Sequence, residues 1–173
     1  SNTVYVLSIG DVSEIEVLGG SGWSYIVPGN QLPDNLLSND VFSSSTTDGN
    51  YIFLRTHIYD DNYTPVVYKY SLEEDVWYLG KEDKVGAVDT RIDFNTHYFQ
   101  GMLLSFWGRN QLNPFGLLNV EMYSIESSIF GYRENKFDSR HDFSAAVYDN
   151  KVYLFSGRDF SDSGYNGAVE EFD

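Results

Sequence analysis

The sequence predicts an all-β repeat protein made of four-stranded antiparallel units, two complete and two partial. Three observations carry this. FSSSTTDGNYIFLRT (Phe42 to Thr56), FNTHYFQGMLLSFWG (Phe94 to Gly108) and FSAAVYDNKVYLFSG (Phe143 to Gly157) align end to end without a gap, their starts 52 and 49 residues apart. Each reads as a strand, a two-residue turn and a strongly apolar strand. Tyr70 precedes Trp77, and Tyr123 precedes Phe130, by the same seven residues. A period of about 50 residues marks a repeat architecture in which each unit is one supersecondary element.

The elements follow in chain order, with the strands of a unit lettered a to d. TVYVLS (Thr3 to Ser8), SEIEVL (Ser13 to Leu18) and GWSYIV (Gly22 to Val27, with Trp23) supply strands b, c and d of a first unit that shows no strand a. The three aligned segments supply strands a and b of the later units. Their turns are placed at Asp48-Gly49, Gln100-Gly101 and Asp149-Asn150, residues that tolerate the positive φ of two-residue hairpin turns. VVYKYS (Val66 to Ser71), LNVEMYS (Leu118 to Ser124) and AVEEF (Ala168 to Phe172) are the c strands. Trp77 and Phe130 mark two d strands, and Asp173 follows the last c strand. The units therefore span residues 1–38, 39–88, 89–136 and 137–173 of a single domain. Strand b of each (Tyr51 to Arg55, Leu103 to Trp107, Val152 to Ser156) is expected to be flanked on both sides and deeply buried. No helix longer than one turn is expected.

These residues resemble the kelch repeat family. The match is best in RHDFSAAVYDNKVYLFSG followed by AVEEFD, and the resemblance covers about Phe42 to Asp173. It implies a segment of a kelch-type β-propeller, each unit being one blade. The family's Gly-Gly doublet is nowhere intact. Its first position holds Arg55, Trp107 or Ser156, and its second holds Thr56, Gly108 or Gly157, so the blades are expected to be distorted. Closed propellers have about four to eight blades, and open sheet edges are a liability in water. The expectation is that further chain, or another subunit, completes the ring. A self-contained four-bladed ring with borrowed edge strands is the alternative.

Composition agrees with this class. Aromatics make up 17% and apolar residues 42% of the 173 residues, a mixture that favours strands and can fill a core. No apolar run reaches the roughly 18 residues of a membrane span, and no signal-like start is present. There is no cysteine, hence no disulfide framework or thiol nucleophile, and the default location is cytoplasmic. Asn62-Tyr63-Thr64 is a lone glycosylation triplet of the kind chance supplies. The net charge of −15 argues against a nucleic-acid surface, which needs a basic face.

Charge is distributed by slot. In a meander the a–b and c–d turns share one end of the unit, and the b–c and d–a loops share the other. Glu73, Glu74, Asp75, Asp48 and Asp149 fall at the turn end. Arg91 and Arg140 share a d–a slot in RIDF and RHDF. Arg109 and Arg158 share a b–c slot, which His57 fills one unit earlier. Four of the six arginines thus map to one end, with Trp107 beside Arg109. A guanidinium cluster suits a carboxylate-bearing partner. The competing reading pairs these arginines with loop acids such as Asp93, Asp142 and Asp159, with Asp60, Asp61 and Asp162 nearby. His57, His97 and His141 lack metal-ligand spacing, and no cofactor is expected. His97 reads as a satisfied inner-strand histidine. Trp23, Trp77, Phe130 and Trp107 read first as core, and Gly19-Gly20-Ser21-Gly22 as a turn.

The function expected is a protein-interaction scaffold presenting loops to a protein or acidic peptide, through Arg91, Arg109, Arg140, Arg158, His57 and Trp107, with neither nucleic acid nor membrane as partner. The alternatives are part of a propeller enzyme acting on carbohydrate, or an architectural segment of a large assembly. Copper chemistry with a Tyr–Cys crosslink, known among propellers, lacks its cysteine here.

Overall fold

The computed structural model describes residues 3–8, 14–19, 22–33, 43–58, 64–82, 91–109, 116–134, 140–159 and 164–173. Phe42, Asp60, Asp61, Asp162, Asn62, Tyr63, Gly20, Ser21 and the side chain of Asp159 lie outside what is described. Among the described residues there are strands and turns and no helix. The first sheet has the order β1 (Val4–Ser8), β2 (Glu14–Gly19), β3 (Gly22–Ile26). The second runs β4 (Ser44–Thr47), β5 (Tyr51–Ile58), β6 (Thr64–Ser71), β7 (Val76–Glu82). The third runs β8 (Asn95–Phe99), β9 (Met102–Phe106), β10 (Asn119–Ser124), β11 (Ile129–Glu134). In the last sheet β13 (Ser144–Tyr148), β14 (Lys151–Phe155) and β16 (Val169–Phe172) pair, while β12 (Arg140–His141) and β15 (Arg158–Asp159) form a short ribbon. All pairings are antiparallel.

The seven-residue spacing has a direct structural meaning. Tyr70 lies opposite Trp77, and Tyr123 opposite Phe130. The ring centroids are 5.2 and 4.8 Å apart, with tilts of 49° and 52°. Such cross-strand aromatic pairs contribute about 0.2–1 kcal/mol each relative to a pair of alanines. A bulge between Val67 and Tyr68 leaves Gly80 over the Val67 carbonyl, where a Cβ would sit 2.9 Å from that oxygen.

The turns correct one expectation. Gln100-Gly101 and Asp149-Asn150 are two-residue turns with both residues at positive φ. In the second sheet the turn is Gly49-Asn50 rather than Asp48-Gly49. The Asp48 amide donates to the Tyr51 carbonyl, and Asp48 Oδ1 accepts from the Asn50 and Tyr51 amides. Only Gly49 needs positive φ there, as a II′-type turn with glycine first requires. A one-residue slip exchanges the two faces of a strand. Ile52 and Leu54 therefore correspond to Leu103 and Ser105, not to Leu104 and Phe106, and both β4 and β5 match β8 and β9 at a spacing of 51 residues, one less than the aligned 52.

The ends of the b strands differ as well. At Trp107-Gly108 and Ser156-Gly157 both residues have positive φ, which ends β9 and β14. The corresponding pair in the second sheet is Thr56-His57. A β-branched threonine does not enter the left-handed region, so β5 runs on to Ile58, pairing His57 with Pro65 and Ile58 with Thr64. At Gly108 a Cβ would lie 2.6 Å from the Ile92 carbonyl oxygen, and at Gly157 it would lie 3.0 Å from that of His141.

Consecutive sheets touch face to face, and the innermost strands β4, β8 and β13 are neighbours. Ser44 Oγ accepts from the Thr96 amide (2.9 Å) and Thr46 Oγ1 from the Tyr98 amide (3.0 Å). The core comes in three apolar layers. Ile15, Leu32, Ile52, Leu54, Val66 and Trp77 fill the first. Phe53, Val67, Leu103 and Tyr123 fill the second. Phe99, Leu104, Phe106, Trp107, Val152 and Phe172 are among those in the third. β5 and β9 are buried as expected. β14 is half so: Val152 and Leu154 are buried, whereas Phe155 and Ser156 are exposed. Trp23 is 55% exposed where Trp77 is 5% exposed, which corrects the core reading of Trp23. Tyr25, on the same side of the first sheet, is exposed as well.

Candidate functional site

The two ends of the sheets divide as the meander requires. At the turn end the Leu72 amide donates to Asn50 and the Ile125 amide to Gly101. An open cleft of about 360 Å³ there is lined by Gly49, Asn50, Tyr51, Ser71, Leu72 and Glu73. At the loop end Ile92 and Arg109 exchange both main-chain bonds at 2.9 Å, Leu117 donates to Gly108, and Asn166 donates to Gly157. His141 pairs with Arg158 there. Arg109 and Arg158 thus stand at the end opposite Glu73, Glu74 and Asp75.

The arginines separate into two kinds. Arg91 and Arg140 are buried. Arg91 Nη1 donates to the carbonyls of Ser105 (3.2 Å), Trp107 (2.9 Å) and Asn119 (3.3 Å), and Nη2 donates to Asn119 Oδ1 (2.8 Å). Arg140 Nη1 repeats this one unit later on Ser156 (3.1 Å) and Ala168 (3.3 Å), and Nη2 pairs with Glu170. A left-handed end of strand b leaves carbonyls without ladder partners. A planar guanidinium with five donors can satisfy several at once. These two side chains plug the sheet ends and present no surface to a partner.

Arg109 and Arg158 are exposed. Arg109 Nε pairs with Asp93 at 2.7 Å, and the Arg158 guanidinium lies 4.8 Å from the Tyr165 ring centre and bonds its hydroxyl. The bonds described tie each arginine to its own sheet. Of the loop acids expected to hold them, Asp93 does so. Asp142 instead lies 3.1 Å from His141 Nδ1.

His57 and Trp107 are buried. His57 Nε2 accepts from the Arg91 amide at 3.3 Å, so the ring joins the sheet ends from inside. Trp107 is wedged between the third and last sheets, 4.6 Å from Phe143 edge to face and 5.3 Å below the Arg140 guanidinium. Sequence reasoning missed a further cluster. Arg55 Nε and Nη2 grip Glu121 at 2.7 and 3.1 Å, and Arg91 Nε lies 3.8 Å from the same carboxylate. Phe94 and Phe130 flank the Arg55 guanidinium at 5.4 and 5.7 Å. A charged pair inside two apolar strands, Arg55 in YIFLR and Glu121 in NVEMY, is the signal that could have found it.

His97 is not satisfied. Its Nε2 has no hydrogen-bond partner among the described residues, and burial lowers its pKa to about 4. Among the described residues, no group of three or more His, Asp or Glu lies together in a way that could hold a metal ion. No helix among them is long and apolar enough to cross a membrane. No model of a known protein family matches the chain, and no curated protein matches it.

Proposed function

We propose that the chain is a kelch-type β-propeller segment that serves as a protein-interaction module, its loop end meeting a carboxylate-bearing protein or peptide through Arg109 and Arg158. The observation that supports this is the pair of exposed arginines at one repeated position on neighbouring sheets, both standing on rigid main-chain pairings. Arg91, Arg140, His57 and Trp107 act from behind, holding the strand ends on which the exposed pair stands. The overall charge of −15 does not forbid such a partner, because exposed charges beyond a screening length of about 8 Å are largely damped. Asp93 competes for Arg109 and has to be displaced or bridged. The ring is completed by further chain or by another subunit.

The test is an array of Asp- and Glu-rich peptides probed with the chain and with the Arg109→Glu, Arg158→Glu double variant, alongside thermal unfolding. The expected result is binding that is lost in the variant at unchanged stability. Absence of binding by the parent chain, or loss of stability in the variant, refutes the proposal.

A further inference from the structure

We infer that Asn166 and Gly167 are a self-modifying pair: without an enzyme, the Gly167 amide closes on the Asn166 side chain, and the product loosens the strap that ties this loop to the end of β14. The sequence holds a single Asn-Gly step, in SGYNGAVE. Glycine is the neighbour that allows the closure most readily, because no Cβ shields its nitrogen and its main chain turns freely. Gly167 is exposed and Asn166 half-buried, so water and hydroxide reach both. Asn166 Oδ1 accepts from the Ala168 amide at 2.9 Å. That bond closes a small ring containing both Asn166 Cγ and the Gly167 nitrogen, the two atoms that must join. It also aims a donor at the oxygen on which negative charge develops. Asp48-Gly49, the acidic counterpart, stands instead in a hairpin turn, with Asp48 Oδ1 held by the Asn50 and Tyr51 amides.

The steps balance without a cofactor. Hydroxide takes the Gly167 amide proton, and the nitrogen attacks Asn166 Cγ. The Cγ–Nδ2 bond breaks, and Nδ2 leaves as ammonia with a proton from water, which restores the hydroxide. Water then opens the cyclic imide. Opening at Cγ gives aspartate. Opening at the main-chain carbonyl gives isoaspartate, whose chain runs through Cβ and Cγ and is longer by a methylene. That methylene falls between two pinned points. On one side the Asn166 amide donates to the Gly157 carbonyl (2.9 Å). On the other the Ala168 carbonyl accepts from the Ser156 amide (3.1 Å) and from Arg140 Nη1 (3.3 Å). Ser156 and Gly157 are adjacent and both at positive φ, so the spacing of their polar groups is set. A lengthened span keeps one end of the strap at the expense of the other.

Mass mapping of the folded chain, aged at neutral and at mildly alkaline pH, tests this. The expected result is exchange of amide for carboxyl at Asn166 ahead of every other asparagine, faster at the higher pH. Isoaspartate is detected by enzymatic methyl transfer to its carboxylate. Gly167→Ala is the controlling variant. A Cβ there meets nothing within 4 Å, and Gly167 is not among the residues at positive φ, so the fold should be kept while the conversion slows several-fold. Hydrogen exchange of the aged chain should show the Ser156 or the Asn166 amide unprotected, with β9 unchanged. Asn166 surviving in the folded chain over a period that converts it in urea overturns the proposal. So does a Gly167→Ala variant that converts as fast as the parent. Conversion to isoaspartate with both amides still protected overturns the release of the strap. Where the variant fails to fold, the comparison of folded and urea-unfolded parent chain decides.

Discussion

The second and third sheets enclose an ion pair within their apolar layer, whereas the third and last meet around hydrocarbon at the same place. The positions correspond. Where β5 points Arg55 at the next sheet, β9 points Phe106. Glu121 receives Arg55 from the sheet before, while Glu170, 49 residues later, is met by Arg140 of its own unit. One backbone arrangement thus tolerates opposite chemistries. The ionic version holds because the fork of Arg55 meets both carboxylate oxygens, two rings cover it, and its Nη1 reaches the Thr56 carbonyl. Removing two charges from water costs several kcal/mol per ion, and such geometry is what offsets it.

The largest effect expected is at Glu121. Glu121→Ala leaves Arg55 and Arg91 buried without their carboxylate, and the cost should be about 3–5 kcal/mol in denaturant unfolding. Replacing both partners, Arg55→Met with Glu121→Leu, should cost clearly less than Glu121→Ala alone. An equal or greater loss would show that the ionic interface gains from its charges and is not merely tolerating them.

The apolar interface has its own weak point in His97. Its folded pKa of about 4 lies below the ordinary value of 6.5. Between these values the unfolded chain binds the proton and the folded chain does not. The contribution is therefore fully present above pH 6.5 and is lost as pH falls towards 4, by about 2–3 kcal/mol in all. His97→Leu should flatten the stability-against-pH curve across that window, and an unchanged slope would exonerate His97.

Glycine substitutions sharpen the contrast between strand ends. Gly108→Ala forces a side chain against the Ile92 carbonyl at positive φ, and should cost about 1–3 kcal/mol or more. Gly49→Ala, also at positive φ but with open space around it, should cost only the conformational part, about 1–2 kcal/mol. Equal losses would mean that close approach contributes nothing. The smallest effect belongs to Arg109→Ala, whose exposed pair with Asp93 should be worth at most about 1 kcal/mol.

Legibility followed the physics of each element. Strands c and d were readable because Tyr70 and Trp77, and Tyr123 and Phe130, fix their own register. The turns at Gln100-Gly101 and Asp149-Asn150 announced themselves by residue type. The face assignment of β5 was not readable. Tyr51-Ile52-Phe53-Leu54 is apolar on both sides because sheets cover both, so no alternation betrays a one-residue slip, and Asp48-Gly49-Asn50 offers two turns. Repeated positions of Arg91 and Arg140 were visible, but their burial was not, since their acceptors are carbonyls released by left-handed residues elsewhere in the chain. Trp23 misled because its slot is core only where another sheet lies over it.

The hydroxyl contacts of Ser44 and Thr46 with the β8 main chain have a mechanical consequence. They join neighbouring sheets along their innermost strands, side chain to backbone, like pages stitched at the spine. Sliding one inner strand past the next must break two directed bonds together. Parting the second and third sheets further out must break the Arg55 grip on Glu121 as well. Under load these two sheets should therefore resist both sliding at the spine and opening at the ion pair.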